Sequence, residues 1–113
     1  MKYSESLKKN RDFQNVYKKG KSYANRYLVM YVLKNDTERN RLGISVSKKV
    51  GNSVVRSRIT RLLRESYRLS ESKFLAGYDI VVIARASAKE ATYREVESAL
   101  MHLLNKQKLI KSE

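Results

Sequence analysis

The chain is 113 residues long and carries 25 Lys and Arg against 11 Asp and Glu, a formal charge of +14. It has no Cys and one His, which excludes a disulfide framework and a thiolate metal site, so any metal held by the protein itself would need oxygen ligands. With 42% apolar residues, no apolar run of about 18 residues and no hydrophobic segment behind Lys2, Lys8 and Lys9, the composition reads as one domain, 1–113, without a membrane or secretory signal, in the cytoplasm, and partnered first by nucleic acid.

Residues 1–9 are polar and lack periodicity, the pattern of a loose basic arm. A helix of about ten residues is predicted from Asn10, read as its N-cap, because Asp12 suits the first turn, Phe13, Val16 and Tyr17 recur at i, i+3 and i+4, and Gly20 stops the run. Residues 26–33, RYLVMYVL, are β-branched and aromatic, which predicts a strand covered on both faces. Residues 35–41 form a polar turn. From 42 to 47 the chain alternates strictly: Leu42, Ile44 and Val46 share one face, and Gly43, Ser45 and Ser47 the other. That bare face leaves room for a ligand or for a packed helix.

Residues 48–51 turn the chain, and Asn52 or Ser53 caps a helix that fades near Ser70. Between Lys48 and Arg68 lie seven basic side chains and one acid, Glu65, with Val54, Val55, Ile59, Leu62, Leu63 and Tyr67 at helical spacing. At about 100° per residue, Arg58, Arg61, Arg64 and Arg68 fall in a sector of roughly 120°, nearly opposite the apolar stripe. Residues 70–77 connect to a second doubly buried strand, DIVVIA at 79–84. Thr92 and Glu95 make a capping box before a closing helix that carries Tyr93, Val96, Leu100, Leu103 and Leu104. The order is helix, strands, basic helix, strand, helix: an α+β domain around one mixed sheet. The strand, basic helix and second strand form a βαβ unit, for which the general rule gives a right-handed crossover.

A self-sufficient hydrolase needs a nucleophile with its base, a carboxylate pair or a metal cage. Here the acids are scattered, Asp79 reads as a strand end facing water or a basic group, and His102 reads as a half-buried packing residue. Binding fits the pattern better. Guanidinium groups offer planar forks to phosphate and stack on bases, so an arginine row favours close contact with a nucleic-acid backbone. Phe13 and Tyr17 share a helix face, and Tyr27 and Tyr31 a strand face. These rings fit either an ordinary core or a platform for bases, and the buried hydroxyls of tyrosine suit an edge wet on one side.

Four stretches carry a further signal: NRDFQNVYKKG, YANRYLVMY, RLGISVSKKVGNSVVRSRITRLLRE and YDIVVIAR. In order and over nearly the whole chain, they resemble the protein subunit of bacterial ribonuclease P. The resemblance implies an α+β fold with a left-handed βαβ crossover, against the general rule. It implies a subunit of a tRNA 5′-maturation endoribonuclease whose RNA performs the hydrolysis with magnesium, while the protein, monomeric in the ribonucleoprotein, binds that catalytic RNA and the 5′ leader of precursor tRNA. It places the leader in a cleft with Phe13, Tyr17 and Tyr31, joined by Ser45 and Ser47. It assigns contacts with the catalytic RNA and the cleavage-site region to Lys48, Lys49, Asn52, Arg56, Arg58, Arg61 and Arg64, a set that Arg68 extends along the row. It assigns the protein no catalytic residue, gives magnesium to the RNA partner, and leaves open whether the protein holds a metal of its own. Two positions depart from the family pattern: Ser57 stands in place of Asn and Thr60 in place of Lys. A structural RNA-binding protein of ribosomal type is the alternative, since it would share the charge, size and fold class.

Overall fold

Period-two alternation decides which elements cover which face of the sheet. The computed structural model describes residues 2–112. Its elements are β1 (Ser4–Ser6), α1 (Asn10–Lys19), β2 (Lys21–Ala24), β3 (Leu28–Lys34), β4 (Asn40–Ser45), α2 (Ser53–Ser70), β5 (Tyr78–Ala84) and α3 (Tyr93–Lys106), with short 3₁₀ turns at Glu71–Lys73 and Ala86–Glu90. The five strands line up as β1-β4-β5-β3-β2. β1 and β5 run parallel to β4, whereas β3 is antiparallel to both β5 and β2. The sheet is therefore mixed, and β4, α2 and β5 form the βαβ unit expected from the sequence.

On one face Leu28, Met30, Val32, Leu42, Ile80 and Val82 pack with Ile59, Leu63 and Tyr67 of α2 and Val96, Leu100, Leu103 and Leu104 of α3. On the other face Tyr31, Leu33, Val81 and Ile83 meet Leu7 and the α1 residues Phe13, Val16 and Tyr17. Successive residues of β3 and β5 thus serve two cores, which is why both strands read as apolar throughout. Among the described residues no helix is long and apolar enough to cross a membrane.

Local signals hold at both later helices. The Asn52 side chain accepts a hydrogen bond from the Val55 N–H at 3.0 Å. Thr92 and Glu95 close the capping box with bonds of 3.2 and 3.0 Å. At α1 the cap position is Lys9, which makes no side-chain cap bond, so Asn10 is the first helical residue and not the N-cap.

Residues 1–9 are not a loose arm. Residues 4–6 pair with Asn40, Arg41 and Leu42, the Leu7 N–H donates to the Leu42 carbonyl at 2.8 Å, and Leu7 is 5% exposed. The Ser4 hydroxyl shares a 2.8 Å hydrogen bond with that of Tyr67, and the N–H groups of Lys2 and Tyr3 donate to Glu71. The open edge of β4 recruits this segment, an attraction between distant residues that leaves no trace in a three-residue pattern. β2 escapes notice for the same reason: it is a four-residue edge strand with little buried surface.

Other boundaries shift. β3 starts at Leu28 because Asn25 turns the chain, its Oδ1 accepting from the N–H groups of Tyr27 and Leu28. β4 starts at Asn40, inside the segment read as a turn, because the buried Asn40 side chain bridges the Leu75 carbonyl and the Tyr78 N–H at 2.8 and 2.9 Å. Val46 and Ser47 continue past the paired part of β4.

Candidate nucleic-acid interface

Gly43 sets how closely α1 approaches the sheet. A Cβ built there would lie 2.6 Å from Cζ of Phe13, so only a residue without one lets that ring settle on the strand. Four residues on, Tyr17 shares the helix face; the Phe13 and Tyr17 ring centroids are 6.4 Å apart, and Tyr17 meets Tyr31 edge-on at 5.2 Å. All three rings are half-buried. Burial raises the Tyr17 pKa above its ordinary value, the nearby Ser45 hydroxyl works the other way, and the neighbouring Tyr31 adds to the rise. Phe13, Tyr17, Tyr31 and Ser45 therefore meet in one cluster with partly open faces. Ser47 is exposed beyond the end of β4 and makes no side-chain hydrogen bond among the described residues. Tyr27 does not share the face of Tyr31. It precedes β3, packs with the core under α2 and α3, and donates its hydroxyl proton to Glu95 at 2.5 Å.

The mouth of α1 is held by an ion-pair chain. Asp79, 2% exposed, accepts from Nε and Nη2 of Arg41 at 2.7 and 2.5 Å and from Asn35 at 2.9 Å. Arg41 reaches on to Asp12 in the first turn of α1 at 3.5 Å. The Asp79 hydrogen bond raises the Arg41 pKa further, so the guanidinium stays charged. Asp79 thus faces a basic group, one of the two surroundings expected for it. His102 is exposed, beside the Asn25 amide at 3.1 Å, and is not the packing residue its neighbours suggest.

On the opposite face of β4, an open groove of about 710 Å³ separates the strand end from α2. Ile44 and Val46 form its sheet wall, and Arg56, Arg61, Arg64 and Arg68 its helix wall, with Ser57 and Thr60 between them. Arg61 and Arg64 are exposed. Arg68 pairs with Glu65 at 2.5 Å, which lowers the Glu65 pKa. Nε of Arg56 is buried without an acceptor among the described residues. Arg58 leaves the row: its Nη2 donates to the Ala91 carbonyl at 2.7 Å and its Nη1 approaches that of Lys89 at 3.5 Å. Helical projection puts Arg58 at the margin of the arginine sector, and the turn before α3 captures it there. Lys48 and Lys49 are exposed in the turn before α2, and Asn52 spends its side-chain oxygen on the cap.

Sequence reasoning missed Ile44 and Val46 as part of a surface, because alternation marks them only as core-facing. They stay half-exposed since the strand end outruns the elements that cover it. Among the described residues no three His, Asp or Glu side chains gather into a cation site. Four guanidinium groups and two alkyl side chains dominate the groove walls, with Glu65 and the hydroxyls of Ser53, Ser57 and Thr60 beside them, a set that suits phosphate and base faces.

Comparison with known proteins places the chain in one family. The family model described as Ribonuclease P matches residues 1–108. The ribonuclease P protein component of Lachnoclostridium phytofermentans is 64% identical over 109 residues, covering 96% of this chain and 94% of its own length. That of Alkaliphilus metalliredigens is 58% identical over 110 residues, covering 97% and 99%. The solved structure of the Staphylococcus aureus RNase P protein superimposes with a TM-score of 0.89 at 46% identity, covering 96% of this chain and 99% of that one. The Thermotoga maritima RNase P protein gives 0.83 at 34% identity, with the same coverage. The chain belongs to the ribonuclease P protein family, the protein subunits of a bacterial ribonucleoprotein endoribonuclease that processes tRNA.

Proposed function

We propose that the protein grips the 5′ leader of precursor tRNA in the aromatic cleft while the α2 groove and the Lys48–Lys49 turn hold the ribonuclease P RNA beside the cleavage site. One observation supports this most: the edge-on Tyr17–Tyr31 pair and the arginine groove lie on opposite faces of the sheet, with Phe13 over Gly43 of β4 on the cleft side and Ile44 and Val46 toward the groove. Stacking on half-open rings tolerates any base, as leaders of varied sequence require. The +14 charge offsets repulsion between two RNAs, and the leader contact adds binding energy for precursor over mature tRNA. In this reading the protein acts in the cytoplasm as one copy per ribonucleoprotein, and the hydrolytic magnesium ions sit on the RNA.

Reconstitution at low magnesium tests it. Added to its cognate RNA, the protein accelerates cleavage of precursor tRNA and favours precursor over mature tRNA; the protein alone with magnesium leaves precursor intact. No acceleration and no preference would sink the proposal and favour a purely structural RNA-binding role.

A further inference from the structure

The α2 groove combines two features that a plain polyanion surface does not need. Its helix wall is cationic, yet its sheet wall is the apolar pair Ile44 and Val46, which remain half-exposed. A duplex keeps its base faces stacked inside and shows phosphates outward, so it would gain nothing from alkyl groups set back in a groove. An unstacked nucleotide presents both a π-face and a phosphate. The groove has the dimensions of a small-ligand site, which typically spans about 300–1,000 Å³. Its middle is kept open by two short side chains. Ser57 projects little, and the Thr60 hydroxyl is turned back onto the Arg56 carbonyl at 2.9 Å. Arg56, with a buried Nε lacking an acceptor, lines the same space. Glu65 does not cancel the wall, because Arg68 already neutralises it at 2.5 Å.

We infer that the groove seats one unstacked RNA nucleotide, with its base against Ile44 and Val46 and its phosphate on Arg56 and Arg64. This rests on the reading of α2 as an RNA-facing helix and names what that helix recognises. Ser45, between Ile44 and Val46 in sequence, alternates to the face on which Gly43 meets Phe13, so the groove and the aromatic cleft are one sheet thickness apart. A nucleotide of either the precursor or the catalytic RNA supplies the required chemistry.

Methyl NMR on the intact protein tests the seat directly. Adenosine monophosphate is expected to move the Ile44 and Val46 methyl resonances upfield through the ring current of its base, whereas inorganic phosphate leaves them in place. Equal movement with both ligands would reduce the groove to an anion site and overturn the inference, as would no movement with either. Thr60→Lys gives a sign that charge alone cannot mimic. It adds a cation, which strengthens electrostatic attraction, but it fills the groove, so the upfield shifts disappear while phosphate binding persists; retained shifts count against the seat. In the holoenzyme, a photo-crosslinker at Ser57 is expected to join precursor or catalytic RNA, which identifies the source, and crosslinks to neither RNA overturn the inference. If binding of whole RNA is independent of salt, the underlying reading of α2 fails; if the salt dependence holds and the methyls stay still, only the nucleotide seat falls.

Discussion

Replacing Phe13 by alanine separates stacking on RNA from packing in the fold. The ring is half-buried, resting on Gly43 with Tyr17 beside it at 6.4 Å. Full burial of a phenylalanine would make truncation cost about 3–5 kcal/mol, so a half-buried ring implies about 2 kcal/mol of stability. A base stacked on its open face contributes about 1–3 kcal/mol, which is a loss of about 5-fold to 150-fold in affinity. The assay is the Kd of reconstituted holoenzyme for precursor with a long leader and for leaderless tRNA, at a temperature where the variant is folded. The precursor Kd rises within that range and the leaderless Kd stays put. The salt dependence is unchanged, because no charge is lost. Phe13→Leu keeps most of the apolar volume over Gly43 but lacks a π-face, so it restores stability without restoring precursor affinity. Equal losses on both substrates, or full rescue by leucine, would refute stacking and leave Phe13 as core.

The divided arginine row gives a second expectation. If RNA binding neutralises about six phosphates of a single strand, the log–log salt slope is near −4, and Arg61→Ala or Arg64→Ala each reduces it by about 0.7. Arg58→Ala instead costs about 1–2 kcal/mol of stability through its bond to the Ala91 carbonyl, with the slope preserved; an equal slope change for Arg58 and Arg64 would contradict the split. Gly43→Ala drives a methyl to 2.6 Å from Cζ of Phe13, so stability falls by about 1–3 kcal/mol and precursor preference weakens with it; an unchanged melting temperature would show that α1 yields freely. Acid reports on two carboxylates. Glu95 is held below 4.5 first by the Tyr27 hydroxyl and then by Thr92, and Glu65 by Arg68. Because their folded pKa values are depressed, their stabilisation is present above pH 4.5 and is lost as pH falls through the folded values. The melting temperature of wild type therefore converges on that of Glu95→Gln in acid, and a gap that does not change with pH would rule this out.

What the sequence determined by itself is local. The Asn52 cap, the Thr92–Glu95 box and the bounds of α2 depend on hydrogen bonds within one helical turn, and the two faces of β4 on a period of two, so a short window contains the cause. The arginine row and the Phe13–Tyr17 face are legible for the same reason, as is the family signature, which resides in residue order. Tertiary structure decided the rest because its causes are distant in the chain. β1 forms only because β4 offers an edge 36 residues away, as the pairing of Ser4 with Asn40 shows. Arg58 is drawn out of the row by carbonyls 31 and 33 residues further on. Tyr31 joins the cleft while Tyr27 does not, since the turn at Asn25 delays the strand until Leu28. Ile44 and Val46, marked as core by alternation, become a groove wall because β4 ends beyond its cover, which a residue's hydrophobicity cannot record.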